Sequence, residues 1–269
     1  MRGKRYFFFG NIYESITFHP MLPQFHFFHN EWITFTIFLG SLFLLISLSE
    51  IIHSRLHWSI EATRKLVHIF VGIFLLISLF LFQSNTYPAI LAILFILINA
   101  TTLKFNLFKA MHPTSRKSYG TIYFPIAYLI LILGWWNDPY ALVVAFLLLT
   151  FADTAATIVG ESAYSPERFI VWQDSKTVQG SIAMFLTSII LITIGLSVVS
   201  EILGEPLESP KIMIPKIVFL ALLATAAEAT SSRGSDNLTI PIITVFGFDL
   251  FNSLVSSNGI VLLMVWIIV

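Results

Sequence analysis

Eight stretches of about 20 mostly apolar residues, each long enough to cross a bilayer, dictate what this chain can become. They fall near 32–52, 66–83, 86–103, 119–136, 139–160, 180–200, 212–230 and 237–256. Inside lipid every backbone N–H and C=O needs an internal partner, so segments of this kind fold as helices. They are continuously apolar and do not alternate, which excludes spanning strands. A further apolar tail at 258–269 is too short to span alone. The expected fold is all-α, a polytopic transmembrane bundle of about 7–9 helices. Its longest polar connections, near 54–64, 104–118, 161–179 and 201–211, are too short for a soluble domain. Residues 31–269 therefore read as one bundle, and 1–30 as an N-terminal interfacial segment. That segment carries Arg2, Lys4, Arg5, His19, His26 and His29 but no apolar run long enough for a signal peptide.

Only 11% of the residues are charged and 57% are hydrophobic, where a soluble domain carries roughly 25% charged residues. Lys+Arg and Asp+Glu are 15 each, so the chain has no basic excess. That argues against a nucleic-acid partner, whose phosphates need neutralising. With no cysteine there is no disulfide, thiolate nucleophile, iron–sulfur cluster or Cys-type zinc site. The cations are unevenly shared between alternate loops. Arg55, Arg64, Lys65, Lys104, Lys109, Arg116, Lys117, Arg168, Lys176 and Arg233 fall on one side, and Arg2, Lys4, Arg5, Lys211 and Lys216 on the other. The bias puts the first group in the cytosol and the N-terminus outside.

Four polar clusters share that cationic face. Between the first two spans, Glu50, His53, Ser54, His57, Glu61, Arg64, Lys65 and His68 recur every three or four residues, on one helical face. Two readings stand: topogenic charge at a solvated turn, or an Arg-Lys pair with a histidine one turn deeper gripping a polyphosphate. Arg116-Lys117-Ser118-Tyr119-Gly120-Thr121 sets two cations, two hydroxyls and a glycine at a helix entrance. Free N–H groups favour phosphate there, although ordinary topogenic charge accounts for it as well.

Asp153 lies inside an apolar span, where a carboxylate costs about 2.5–3.5 kcal/mol even on the lenient insertion scale. Thr157 and Gly160 follow at i+4 and i+7, and Ala152, Ala155 and Ala156 permit close helix approach. An interhelical hydrogen-bond anchor would not need an acid, so a metal or proton role is the better reading. Lys176-Thr177-Val178-Gln179-Gly180-Ser181 then places a lysine at the mouth of the next helix. Glu228 precedes Ser231-Ser232-Arg233-Gly234-Ser235-Asp236-Asn237, where Asp236 and Asn237 suit a helix cap. Capping leaves Glu228 unexplained, and Asp249 has no partner visible in the sequence. Oxygen ligands of these types suit magnesium, which keeps waters and bridges phosphates. There is no P-loop, HExxH pair, GxSxG elbow or protein-kinase set.

In order, Arg64-Lys65-x-x-His68, Ser118-Tyr119-Gly120-Thr121 with Pro125, Asp153-x-x-Ala156-x-x-x-Gly160 with Lys176-Thr177-x-Gln179-Gly180-Ser181, and Glu228 through Asp236-Asn237-Leu238-Thr239-x-Pro241 form a recognisable set. It resembles the dolichol kinase, phytol kinase and CTP-dependent diacylglycerol kinase family over about residues 60–245. The resemblance implies phosphorylation of a membrane lipid alcohol by a nucleoside triphosphate, usually CTP, with a divalent metal such as magnesium. It maps the functional Arg-Lys pair and Asp…Gly motif onto Arg64, Lys65, Asp153 and Gly160. On this basis Asp153, Arg64, Lys65 and His68 are the expected catalytic set. Lys176, Gly160, Arg116, Lys117, Ser118, Gly120, Gly180 and Asn237 are the expected nucleotide contacts, and Asp153, Asp236 and Glu228 the expected metal ligands. Asp153, Glu228 and His68 all stand as candidates for the general base.

Two departures from the family pattern bear on nucleotide preference. The loop after Gly160 reads Glu161-Ser162-Ala163-Tyr164-Ser165 in place of an aromatic-glycine pair, and Gln179 stands where glutamate is usual. A rival reading is a cytidylyltransferase that makes a CDP-lipid from a phosphatidic acid, but its usual lysine-aspartate and His-Gly-Gly…Asp-Arg signature is absent. A transporter is weaker, since no repeat appears and the polar residues gather at one face, not at mid-membrane.

Overall fold

The computed structural model describes residues 22–25, 30–56, 60–105, 118–172 and 174–256. Arg116, Lys117, His19, His26, His29, His57 and the 258–269 tail lie outside the described residues. The chain runs through α1 (Glu31–Leu56), α2 (Ile60–Leu81), α3 (Thr86–Phe105), α4 (Gly120–Trp135), α5 (Pro139–Leu147) and α6 (Asp153–Ser162). A hairpin of β1 (Arg168–Val171) and β2 (Asp174–Thr177) follows, and then α7 (Val178–Leu203), α8 (Pro210–Thr230) and α9 (Asp236–Ser256). Helices α5 and α6 form one rod, joined by a π-helical turn at Leu148–Ala152. Among the described residues, seven helical rods are long and apolar enough to cross a membrane, so the chain is a multi-pass membrane protein. The eighth, α4, has 16 residues and spans about 24 Å.

Local chemistry sets the ends of these rods. Asn30 Oδ1 accepts from Trp32 N–H at the start of α1. Asp138 accepts from Ala141 N–H beside Pro139 at the start of α5, where proline's missing N–H costs nothing. Thr177 Oγ1 accepts from Gly180 N–H at the start of α7, and Gly204, at φ +65, closes that helix in the left-handed region glycine favours. Residues 22–25 pack under α2, where Phe25 N–H donates to the Phe80 carbonyl and Gln24 Nε2 to Leu79.

The hairpin is a structured element within the polar 161–179 connection, where the sequence pattern shows no strand. Its strands pair antiparallel, Arg168 opposite Thr177 and Val171 opposite Asp174, and Trp172 turns the corner at φ 54. Gln179 holds its base by accepting from Glu167 N–H and donating to the Ser165 carbonyl. A glutamate could not do both, which gives the departure at this position a physical sense.

The core is centred on the rod of α5 and α6, where Ala141, Val144, Ala145, Phe146, Leu148 and Ala152 are fully buried. The start of α2, the start of α4, the end of α6 and the α8–α9 turn meet around one cavity, which brings together described residues from all four sequence clusters.

Candidate active site

Two helix defects shape the site. At the π turn, Asp153 N–H reaches back to the Leu148 carbonyl, five residues instead of four. The ladder thereby steps past Leu149, whose carbonyl accepts from His68 Nε2 at 2.8 Å. His68 and Gly72 lie one turn apart on α2 and both face this turn. A Cβ on Gly72 would collide with the Thr150 side chain, so only glycine lets α2 lie this close. The second defect is Pro125 inside α4. Proline has no N–H for the carbonyl four residues back, and Asn99 Nδ2 from α3 donates to that carbonyl, Thr121 O, at 2.8 Å. Both defects recruit a polar side chain from a neighbouring helix.

Between them lies a cavity of about 350 Å³. Its polar mouth is lined by Arg64, Lys65 and His68 of α2, Asp153, Thr157 and Glu161 of α6, Ser118, Gly120 and Thr121 at the start of α4, and Gly234, Asp236 and Asn237 at the start of α9. Its inner arm is lined by Phe38, Leu42 and Ile46 of α1, Val67, Val71 and Leu75 of α2, Leu91, Ala92 and Phe95 of α3, and Phe124 and Tyr128 of α4. A polar mouth on an apolar arm suits an amphiphile.

Asp153 is half-buried in the mouth, and among the described residues the basic side chain nearest it is His68, with Nε2 at 3.8 Å from Oδ2. Asp236, Lys176, Glu228 and Arg64 make up the rest of its charged surroundings. The His68 ring is fixed by the Leu149 carbonyl and stands edge-on to Phe124 at 5.1 Å. Lys65 pairs with Glu161.

Lys176, carried on β2, donates to Glu228 Oε1 at 2.6 Å and lies 3.7 Å from Asp236 Oδ2. Burial works against its charge, but Asp236 and Glu228 outweigh it and hold the lysine above its usual range. Asp174, buried at the other end of β2, accepts from Arg233 N–H at 2.6 Å. The hairpin is thus tied to the α8–α9 turn at both ends of β2.

The starts of α4 and α9 stand side by side, with Tyr119 N–H donating to the Arg233 carbonyl at 2.9 Å. Gly120 leaves room for Asn237 Nδ2, and Gly234, at φ +84, for Gly120 N; a Cβ on either would lie 2.6 Å from that atom. The two helix starts therefore meet at one mouth, where Gly120 N–H is taken by Ser118 Oγ and Asn237 N–H by Asp236 Oδ1.

The expected site residues separate into two groups. Arg64, Lys65, His68, Asp153, Ser118, Gly120, Asp236 and Asn237 meet at the cavity. Lys176 joins through Asp236. Gly160 and Gly180 instead face one another where α6 crosses α7, and a Cβ on Gly160 would lie 2.6 Å from Thr177 Oγ1. They set helix spacing and do not line the cavity. Glu228 is buried, engaged by Lys176, and absent from the cavity wall. Asp236 is the first residue of α9 and not the residue before it; its Oδ1 accepts from Asn237 N–H at 3.0 Å and its Oδ2 faces Lys176. Asp249 does have a partner, Trp135 Nε1 at 2.8 Å.

Sequence reasoning missed Gly72, Asn99 and the π turn. Pro125 was a usable signal for Asn99, because it leaves the Thr121 carbonyl in need of a donor.

A divalent cation was expected on Asp153, Asp236 and Glu228. Among the described residues no three His, Asp or Glu side chains gather closely enough to hold a metal. Asp153 and Asp236 do share the mouth, and magnesium commonly uses one or two carboxylates together with substrate phosphates. Those two residues fit such an ion; Glu228 does not join them.

No protein-family profile matches the chain, and no solved structure matches it. Among curated proteins it is similar to the "Phytol kinase" of Synechocystis sp., 25% identical over 184 residues, covering 68% of this chain and 76% of that protein. It is similar to the "Probable phytol kinase, chloroplastic" of Triticum aestivum, 27% identical over 197 residues, 68% of this chain and 65% of that one. The "Probable phytol kinase 1, chloroplastic" of Glycine max is 24% identical over 197 residues, with shares of 68% and 64%. The chain thus spans just under two thirds of these two plant relatives. Modest identity over two thirds of this chain, joined to four ordered motifs that converge on one cavity, supports a polyprenol- and phytol-kinase-like family for the protein.

Proposed function

We propose that the protein is a membrane lipid kinase that transfers the γ-phosphate of a nucleoside triphosphate, CTP by family resemblance, to the hydroxyl of a lipid alcohol. The observation that carries this reading is one cavity whose charged, polar mouth continues into an apolar arm. A phosphate donor and a lipid acceptor can meet only where two such environments join. In this reading the mouth opens to the cytosol, as the distribution of Lys and Arg favours.

Phosphoryl transfer asks a protein mainly for positioning and charge stabilisation. Arg64 and Lys65 would neutralise the triphosphate, with the Ser118 and Asn237 side chains at the α4 and α9 starts beside it and Lys176 acting through Asp236. Asp153 and Asp236 would hold a divalent cation such as magnesium, which supplies charge neutralisation at the phosphates when bound. The alcohol hydroxyl would stand at the junction of mouth and arm, beside His68. A neutral His68 that donates from Nε2 to Leu149 keeps its lone pair at Nδ1. We assign Nδ1 the proton released by the attacking hydroxyl. Of the other two candidate bases, Glu228 is held by Lys176 and Asp153 is given to the cation.

The test is incubation of purified protein with CTP labelled at either the γ- or the α-phosphate, offered in parallel a panel of lipid alcohols and a phosphatidic acid. Label from the γ position alone is expected, and only in the alcohols. Retention of the α-phosphate in lipid from the phosphatidic acid would overturn the kinase and make the protein a cytidylyltransferase, while no transfer to either kind of acceptor would remove both activities.

A further inference from the structure

We propose that the seam between α1 and α3 is a lateral portal, barred by Phe43 and Phe95, through which the acceptor's tail remains in the bilayer while its hydroxyl is phosphorylated. This rests on the lipid-alcohol reading of the same cavity.

The apolar arm is too short to hold a long tail whole. Its wall steps from Ile46 to Phe38 on α1, from Asn99 to Leu91 on α3 and from Gly120 to Tyr128 on α4. Eight residues of helix in each case make a depth of about 12 Å. A tail that reaches the bilayer midplane crosses about 15 Å, half of a hydrocarbon core roughly 30 Å thick. The rest of such a tail must leave the arm through a wall.

Most directions are shut. The floor is filled: Tyr128 Oη and Ser78 Oγ are 2.7 Å apart, and the Tyr128 ring leans on Phe146 at 5.6 Å. Beside it Phe38 meets the fully buried Phe82 edge-on at 5.7 Å. At the back, α2 and α4 both pack on α5, and on the flanks α1 packs along α2 and α3 along α4. Among the described residues, α1 and α3 do not pack along one another. Yet Phe38, Leu42 and Ile46 of the one and Leu91, Ala92 and Phe95 of the other line the same arm. Exposed Phe43 and Leu44 on α1, and Ile93 and Leu97 on α3, put this side of the bundle against lipid.

The seam is fastened unevenly. At the end away from the mouth, Tyr87 meets Trp32 edge-on at 5.2 Å and Phe35 at 5.8 Å. There Glu31 Oε1 also accepts from Gln83 N–H at 2.8 Å. Toward the mouth, the helices are bridged by the rings of Phe43 and Phe95, 6.1 Å apart. A helical side chain leans over the turn before it, which for Phe43 holds Gly40. Even a Cβ on Gly40 would meet nothing within 4 Å. An exposed ring beside open space changes rotamer within nanoseconds, so this bar can move without repacking the core.

A tail that passes the bar is indifferent to its own length. Lipid is as apolar as the arm, so each carbon added beyond the seam alters neither affinity nor the position of the hydroxyl. The site then reads the head and the first few carbons, and leaves the remainder to the bilayer.

The chain has no cysteine, so introduced thiols can be joined without background. Phe43→Cys with Phe95→Cys, linked by a short bismaleimide in lipid nanodiscs, closes the seam. Trp32→Cys with Tyr87→Cys, linked in the same way, fastens it where it is already closed. The readout is kcat/KM for geraniol, short enough for the arm, and for phytol and solanesol. Unlinked protein should use phytol and solanesol about equally. Linking 43 to 95 should lower both by about a hundredfold, the scale of a misplacement of about 1 Å at a reacting group, and should spare geraniol. Linking 32 to 87 should lower none. A cut-off between phytol and solanesol in the native protein overturns the portal, as does equal loss of geraniol or unchanged use of phytol after linking 43 to 95. Should that pair fail to fold, Gly40→Phe fills the space the Phe43 ring needs. A lowered phytol-to-geraniol ratio then supports the portal, and an unaltered one overturns it. If no alcohol is phosphorylated, the lipid-kinase reading fails, and a phytol analogue with a diazirine near its tail end decides the portal separately. Photolabel on α1 and α3 beside Phe43 and Phe95 supports it, and label elsewhere or none overturns it.

Discussion

The two ends of the bundle both hold buried charge but handle it in opposite ways. At the end away from the cavity, Lys216 is 2% exposed, pairs with Glu208 at 2.6 Å and lies over the rings of Phe248 and Phe251. Trp135 donates to Asp249, and Tyr140 to Glu205 at 2.9 Å. Every one of these groups has a close partner, and none lines the cavity. The cavity end also has close pairs, Lys176 with Glu228 at 2.6 Å and Lys65 with Glu161, but among the described residues the basic group nearest Asp153 is His68 at 3.8 Å, and Asp236 stands 3.7 Å from Lys176. A carboxylate kept inside a membrane protein without a tight partner represents a standing cost. The contrast separates charge that holds helices together from charge held ready for a ligand.

The comparison breaks most readily at Asp153. Asp153→Asn should lower phosphoryl transfer by about 10²–10³-fold or more, while thermal unfolding of the purified protein stays unchanged or moves upward. Near-normal turnover at limiting magnesium would make Asp153 a helix anchor like those at the other end.

Arg64→Lys keeps the charge but loses the planar fork that can hold two phosphate oxygens. About a tenfold loss of kcat/KM for the nucleotide is expected, with KM for the lipid alcohol unmoved. An effect on the lipid KM alone would transfer Arg64 to the other substrate.

Gly72→Ala tests whether the π turn belongs to the site. Overpacking against Thr150 should cost about 1–3 kcal/mol and also reduce turnover per folded molecule, because His68 and Asp153 both depend on that turn. Adding Thr150→Ala should restore part of both, a coupling that a double-mutant cycle measures. Lost stability with unaltered turnover would detach the turn from catalysis.

Trp135→Phe probes the other end, where it leaves Asp249 without its donor. Stability should fall by about 1–3 kcal/mol, with turnover per folded molecule unchanged. A selective loss of activity would erase the distinction between the two ends.

The spans were legible because lipid imposes both their length and their continuous apolarity, and seven of the eight expected segments contain a rod long enough to cross. Asp153, Arg64, Lys65 and Asp236 were legible because charge beside or inside an apolar run needs a reason. The rest depends on contacts between segments far apart in the chain. The pairing of Lys176 with Glu228 joins residues 52 apart, and nothing local to either predicts it. The collision reserved at Gly72 exists only because Thr150 sits opposite. The hairpin was hidden because Arg168–Val171 is four residues long, too brief for a periodicity to emerge.

The π turn has a further consequence for how this chain can vary. It amounts to one spare residue in an otherwise regular rod, and the wider turn absorbs that residue's share of rotation, so the helix on either side keeps its phase. Deleting one position from Leu148 to Ala152 would leave a membrane helix of almost the same length and oiliness, with Asp153 still near the mouth. The regular ladder would then close over the carbonyl it now skips, and His68 would lose the acceptor that fixes its ring. Relatives that keep the hydropathy profile but lack this residue should differ in how firmly that histidine is held, a property no hydropathy plot records.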